Sequence, residues 1–480
     1  MVYYLIGDIM EKDLILIIGL CGESVFMETD HFHQDGETIT VNSMHKEPGG
    51  KGYNQAIATK LMETNVAFIG AIGNDEYGKE CESTLQKLGI ETYLIKKETN
   101  TAFATILTDK NGNNQVSVYP GASSLLTKND IDNYIHLFER ARFLLLTYEL
   151  EEDVLTHIYE LAEKYQIKII LNPAPYRNYN QNFLHKAYLI TPNLIECKEM
   201  LNTDVSSYQE LGEKLKKANF QNVIVTLGKD GVLLVNEKSN VIIPTIKEKT
   251  KVVDTTGAGD TFNGCLVAML NKNKELIEAI SYSIYAASFS TETKYVLPSI
   301  PTINDISNLK FSHDKYYKYN GYTNTRKSVR VFLINEHKQY GMLKIEGKDE
   351  FGQRCHLETT GGGIENNESE IETLNREIQE ETGYHGKVIS HLGYLVHEYN
   401  QIKRISIASY YLVLVNTNKQ GNTKYTNEES TLIKGIKWMN FDELKTNLNQ
   451  NNSSCDYLVQ MRELEALKLL EKYLQEQNND

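Results

Sequence analysis

Residues Val253–Asn263 read VDTTGAGDTFN, which predicts a strand end, a glycine-rich turn and the start of a helix. Gly257, Ala258 and Gly259 leave backbone N–H groups unobstructed at a helix N-terminus, where the dipole favours anions. Such a turn can hold the charge that builds on a transferring phosphoryl group. Asp260 follows in the first helical turn, placed to take a proton from an attacking hydroxyl. Alone, a GAGD stretch reads equally well as an ordinary capped helix. Upstream, however, Pro48-Gly49-Gly50-Lys51-Gly52-Tyr53-Asn54-Gln55-Ala56 forms a second glycine turn opening a helix. Its small residues admit a polyol to the backbone, and Asn54 can grip hydroxyls. A second such turn in the same chain weighs against the plain-cap reading of the first.

Around these turns the chain alternates short apolar runs with helical stretches. Leu14–Ile18, Val66–Ile69, Phe143–Leu146, Ile167–Leu171, Tyr188–Ile190, Val223–Val225 and Gly231–Val235 read as strands, with Asp153–Tyr165 and Ser207–Ala218 among the helices. That rhythm predicts an α/β domain with a mainly parallel sheet covered on both faces. Asp35–Lys46 and Thr99–Pro120 break it as an antiparallel β flap would, with turn signals at Asn111-Gly112-Asn113. The polar, tyrosine-rich stretch 312–327 reads as a linker between domains 1–311 and 328–480. Beyond it come strands at Val329–Ile334, Ile405–Val415 and Ile436–Met439 and a helix at Ser369–Glu381. Leu458, Met461, Leu467, Leu470 and Leu474 form a helical stripe that packs on its own domain.

At 480 residues the chain exceeds what one core supports. A net charge of −14 argues against nucleic-acid or membrane partners, which need an excess of Lys and Arg. The six cysteines are scattered and form no CxxC, which fits reduced cytoplasmic thiols rather than a disulfide frame or a zinc site. The early apolar run Leu14–Leu20 is too short to span a bilayer, and no signal-peptide pattern precedes it. Met1–Lys12 reads as an extension, with Met10 an alternative start.

Together, GGKGxNQA and DTTGAGDTF resemble the two signatures of the ribokinase-like (PfkB) family of carbohydrate kinases. The resemblance runs from about Leu14 to Phe311 and includes, in family order, PGAS at Pro120–Ser123, LNPAP at Leu171–Pro175, TPNLIE at Thr191–Glu196 and VTLGKDG at Val225–Gly231. It implies a three-layer α/β/α domain with a small β flap, and ATP-dependent phosphorylation of a sugar or nucleoside. By position it implies Asp260 as the base, Gly257, Ala258 and Gly259 as the anion hole, and Gly50, Lys51 and Asn54 as sugar contacts. Glu149 is a further substrate-side candidate. Asn193 and Glu196 match the motif that organises Mg²⁺ and ATP phosphates, Thr226 and Gly228 match nucleotide contacts, and Asp254 matches a loop that binds K⁺. One departure concerns the substrate: the family's sugar-holding Asn and Asp are replaced by Gly22 and Ser24. The lost carboxylate leaves sugar donors unpaired, at about 1–3 kcal/mol, unless Glu23 substitutes. His31 and His33 are candidates to reshape that pocket.

Residues Gly362–Tyr384 read GGIENNESEIETLNREIQEETGY, fitting G-x5-E-x7-R-E-U-x-E-E-x-G-U, where U is a bulky apolar or aromatic residue. Seven fixed residues match by chance at any one site with odds on the order of 10⁻⁹, so coincidence is negligible. Glu377, Glu380 and Glu381 share one helix face. Clustered carboxylates repel unless divalent cations neutralise them, and oxygen ligands select Mg²⁺ or Mn²⁺. Such ions bind a diphosphate and activate water. Arg376 is expected to pair with Glu368. The stretch resembles Nudix hydrolases from about Ser328 to Leu474, which implies an α/β/α sandwich with a mixed sheet. It also implies hydrolysis of a nucleoside diphosphate linked to another moiety, with ADP-ribose the leading candidate. Glu428 and Glu429 are candidates for an extra ligand or base.

The chain therefore reads as a bifunctional cytoplasmic enzyme, with a homodimer the candidate assembly. The rival is a nucleoside kinase whose second domain senses a ligand; intact carboxylates in both sites favour two working enzymes.

Overall fold

The structure is a computed structural model describing residues 12–247, 251–349, 352–450 and 456–479. The expected extension before the first strand thus lies almost wholly outside the described residues. The chain divides into two compact units, residues 1–240 with 249–306, and residues 241–248 with 307–480.

In the first unit, Leu14–Ile18 is entirely apolar and wholly buried, as a strand covered on both faces must be. It lies parallel to Val66–Ile72 on one side and Ala141–Thr147 on the other. Outward from Ala141–Thr147 follow Lys168–Asn172, Leu189–Ile190, Asn222–Thr226 and the antiparallel Val232–Asn236, while Glu91–Lys96 continues beyond Val66–Ile72. Helices provide the cover; Glu152–Lys164, for example, buries Val154, Leu155, Ile158 and Leu161. The flap is a separate four-stranded sheet, Ser43–Gly49, Gly22–Glu28, Ala102–Thr108 and Asn114–Tyr119. It takes in the segment after the first strand, whereas residues 35–42 form no strand. Residues 251–256 also form no strand, so the expected strand before Gly257 is an irregular approach.

The second unit is a mixed sheet ordered Leu309–Ser312, Gly386–Tyr399, Arg404–Val415, Asn324–Ile334, Tyr340–Asp349 and Gly352–Glu358, with Ile433–Met439 also paired to Tyr340–Asp349. Side chains alternate across it. Val329, Val331, Tyr411 and Val413 pack on Leu374 and Ile378 of the Glu370–Thr382 helix. On the other face Phe332, Tyr410 and Leu412 pack with Leu444, Leu467 and Leu470 from two C-terminal helices. Leu467 and Leu470 of the expected stripe are thus core residues of their own unit.

The stretch 312–327 differs from the expected linker. Leu309–Ser312 pairs with Tyr394–His397, and Asn324 already begins the long central strand. Between them Asp314 and Tyr322 are buried, and Tyr322 Oη donates to Asn400 Oδ1 at 2.9 Å. Its polarity is that of a hydrogen-bonded layer at the sheet's end. Among the described residues no helix is long and apolar enough to cross a membrane.

Candidate active sites

In the first unit the Ala258–Asn271 helix starts at Gly257, and Asp260 sits in its first turn, 7% exposed. Its carboxylate accepts from Asn54 Nδ2 at 3.0 Å and from Gln55 Nε2 at 3.1 Å. Gln55 also donates to Asn172 Oδ1, and Asn172 to the Thr191 carbonyl, so two glycine-turn helices and two strand ends fix one carboxylate. Burial pushes the Asp260 carboxyl above its ordinary range despite Lys51 and the two amides, which favour the anion. Burial works against charge on Lys51 too, but Asp260, Glu149 and Glu196 more than offset it and hold the ammonium. One lysine thus faces the expected base, a substrate-side carboxylate and a nucleotide-side carboxylate.

Gly50 caps the Lys51–Leu61 helix. Glu149, read as a substrate-side candidate, accepts from the backbone N–H groups of Lys51 and Gly52, both at 3.0 Å. It therefore holds the glycine turn itself, and burial raises its pKa. Asn193 and Glu196 cap their helix reciprocally, Glu196 N–H to Asn193 Oδ1 at 2.9 Å and Asn193 N–H to Glu196 Oε2 at 2.8 Å. Asn193 also bridges to Thr226, which brings these two expected nucleotide positions together. Gly228 stands in open space with a left-handed backbone. Asp254 accepts from the N–H groups of Thr256 and Tyr295.

At the departure from the family pattern, a Cβ on Gly22 would meet the Ala102 carbonyl oxygen at 2.2 Å, so this backbone has no room for an asparagine there. Ser24 shares that face of the strand; its Oγ lies 2.3 Å from where a Gly49 Cβ would be. Glu23 points to the opposite face, buried, where burial and then Glu80 raise its pKa. It does not replace the missing carboxylate. His31 pairs with Glu37 in an exposed loop, and His33 is exposed as well.

The second constellation lies on the Glu370–Thr382 helix, which Ser369 and Glu372 cap reciprocally. Arg376 makes the expected two-pronged pair with Glu368, both contacts at 2.8 Å, and reaches Glu377 at 2.8 Å and Glu380 at 3.3 Å. The guanidinium draws the Glu368 carboxyl down to about 2. Glu381 accepts from the Gly361 N–H at 2.8 Å, and a Cβ on Gly362 would lie 2.2 Å from Glu377 Oε1. Only glycine at 362 lets the chain pass this close to the Glu377 carboxylate. Burial raises the pKa of Glu377 and lifts that of Glu381 well above the ordinary value, with Arg376 and Arg330 opposing it, respectively. Two crowded, desolvated oxygen donors of this kind fit a divalent cation, whose charge would offset both penalties. Among the described residues no three His, Cys, Asp or Glu side chains converge as a ready-made metal cage; Glu380 is turned to Arg376. Glu429 caps its own short helix and Glu428 is exposed. The same loop reaches the acidic helix through Tyr425 Oη, which donates to the Glu381 carbonyl at 3.0 Å.

The sequence model of pfkB family carbohydrate kinases matches residues 12–303, more than half the chain. The chain belongs to the pfkB carbohydrate kinase family. Residues 324–457 match the NUDIX domain. The kinase part is 30% identical over 296 residues to a ribokinase of Bacillus subtilis, covering 62% of this chain and 98% of the relative. It is 27% identical over 299 residues to a deoxyribokinase of Salmonella typhi, covering 61% and 97%. Among solved structures, a ribokinase from Thermotoga maritima aligns with a TM-score of 0.56 and 33% identity over 61% of this chain and 98% of that one. This pfkB protein is thus an enzyme that joins a carbohydrate kinase to a Nudix pyrophosphohydrolase. Kinases draw on ATP and Nudix hydrolases on divalent metals, which matches both donor sets.

Gln55 and Asn172 join the site without being among the residues expected there, although both lie inside the quoted motifs; the amide next to Asn54 is the signal the sequence carries. A group of arginines in the Nudix unit is also new, and Arg326 among them lies within the stretch 312–327 expected as a linker.

Proposed function

We propose that the pfkB unit transfers a phosphoryl group from ATP to a sugar or nucleoside hydroxyl, with Asp260 as general base and Gly257–Gly259 as the anion hole. The observation that carries this reading is Asp260: a buried carboxylate held by two amides at the mouth of a glycine-capped helix. Burial keeps it a stronger base than a free aspartate, which suits proton removal in the transition state. Lys51 and Asn54 serve the substrate, Asn193, Glu196, Thr226 and Gly228 the nucleotide and its Mg²⁺, and the Asp254 loop a K⁺ ion. Asp260→Asn is expected to lower the rate by orders of magnitude while ATP still binds. Retention of more than about a tenth of the wild-type rate would remove Asp260 from this role.

With Gly22 and Ser24 in place of the sugar-gripping pair, ribose is expected not to be the best substrate. Steady-state kinetics across pentoses, hexoses and nucleosides tests this, and the highest kcat/KM for ribose would contradict it.

For the Nudix unit we propose Mg²⁺- or Mn²⁺-dependent hydrolysis of a nucleoside diphosphate linked to another moiety, with ADP-ribose as the core compound. Glu377, Glu380 and Glu381 would hold the cations, which supply Lewis-acid activation of water and diphosphate. Cleavage of ADP-ribose would release ribose 5-phosphate, the product a ribokinase also makes. Glu377→Gln or Glu381→Gln is expected to cut hydrolysis by at least about a hundredfold. No hydrolysis of any such diphosphate by the wild-type chain would favour a ligand-sensing role for this unit.

A further inference from the structure

The Nudix unit holds a cavity of about 220 Å³ that the carboxylate helix does not use. Its floor is one face of the central sheet, laid out by register. Tyr399 pairs with Arg404, and Arg404 with Asn324; His397 pairs with Ser406, and Ser406 with Arg326. Arg330 follows four residues on, on the same face, and the C-terminal helix closes the far wall with Arg354 beside it.

The charges here do not balance. Arg330 and Arg462 share Glu358, Arg462 also pairs with Glu463, and Arg354 pairs with Asp349 and Asp456. Among the described residues the Arg404 guanidinium donates only to the neutral Asn324 Oδ1, at 2.8 Å. Arg326 donates to no acceptor among the described residues; burial and then Arg330 and Arg404 disfavour its charge, and the Glu377 carboxylate offsets them only in part. His397, 6% exposed, lines the same cavity, and its imidazole makes no side-chain hydrogen bond among the described residues. Burial and then the surrounding arginines hold its pKa well below ordinary, so it is a neutral imidazole with a donor to offer. Two guanidiniums that form an ion pair with no carboxylate among the described residues, and a nine-tenths buried imidazole without a side-chain partner there, face one cavity, which favours an anion in it.

The cavity also adjoins the hydrolytic site. A Cβ on Gly363 would lie 2.8 Å from an Arg326 nitrogen, and Gly363 belongs to the loop whose carbonyl Arg376 holds. Tyr316, Tyr317 and Tyr457 also line the cavity, aromatic side chains of the kind that pack on a base or sugar.

We propose that this cavity binds a second phosphate group of the substrate, a phosphomonoester remote from the diphosphate that is cleaved. The Nudix substrate is then a nucleoside diphosphate derivative that carries a further phosphate, as ADP-ribose 2′-phosphate does and ADP-ribose does not. This rests on the pyrophosphohydrolase reading above and narrows its substrate class. An anion answers the two guanidiniums that no carboxylate pairs, whereas a neutral sugar leaves both without a partner.

The test compares hydrolysis of ADP-ribose 2′-phosphate with ADP-ribose, and of NADPH with NADH, by the full chain and by its Arg404→Gln and Arg326→Gln variants. The phosphorylated member of each pair is expected to win by about tenfold or more in kcat/KM, and each variant to lose most of that preference. Arg404→Lys should restore part of it, which separates lost charge from a damaged fold. Equal rates on both members in the wild type would overturn the proposal while leaving pyrophosphohydrolysis intact. If no compound is hydrolysed, calorimetry with adenosine 2′,5′-bisphosphate and AMP still decides. Tighter binding of the bisphosphate, abolished by Arg404→Gln, supports the cavity, and no difference between them refutes it. Inorganic phosphate alone is the control for a free-anion site: binding that depends on Arg404 without any preference among the substrates would assign the cavity to a free anion and overturn the substrate proposal.

Discussion

Gln55 contributes to the acidity of Asp260, after burial, Lys51 and Asn54. Its Nε2 donates to Asp260 at 3.1 Å and thereby favours the ionised carboxylate, opposing the burial that favours the protonated one. Gln55→Leu removes that donor, so the proton leaves Asp260 at higher pH. The acid limb of kcat/KM is expected to move upward in pH with the plateau largely kept. An unmoved limb would mean that Asp260 is not the titrating base. The helix start that carries Asp260 was legible in the sequence because the glycine turn before it is local. Gln55 was not, since its partners stand 117 and 205 residues away in the chain. Glu149, a substrate-side candidate by resemblance, has a second part that the sequence did not show: its oxygens accept from the Lys51 and Gly52 amides, 98 and 97 residues away, and so hold the glycine turn.

Among elements, the acidic helix depends on how it begins. Ser369 Oγ accepts from the Glu372 N–H, and the Glu372 carboxylate returns to the Ser369 N–H at 2.8 Å. Ser369→Ala removes one half of this box and is expected to cost about 1 kcal/mol, read as a lower unfolding midpoint of the Nudix unit. No change in that midpoint would show that packing of Leu374 and Ile378 alone fixes the helix. This helix was fully readable, because pattern and capping agree. The strand Asn324–Ile334 was read only from Val329, because Asn324–Ser328 has no apolar alternation. Those residues carry the polar floor of the cavity instead, and a strand whose outward face binds an anion looks like a loop to any hydrophobic pattern. Leu309–Ser312 was missed for a related reason: four residues are too few to show a period.

At the scale of the whole molecule, each unit has its own core and its own phosphate chemistry. The division at about residue 306 falls a few residues before the expected one, because the apparent linker is built into the second sheet. The central claim is that one chain carries two separate catalytic carboxylate sets. The most direct measurement assays ATP-dependent phosphorylation and diphosphate hydrolysis on the same full-length preparations of wild type, Asp260→Asn and Glu381→Gln. Asp260→Asn is expected to lose phosphorylation and keep hydrolysis, and Glu381→Gln to do the opposite, each retained activity staying within about twofold of wild type. Loss of both activities in either variant, or survival of the activity that variant should remove, would contradict the account.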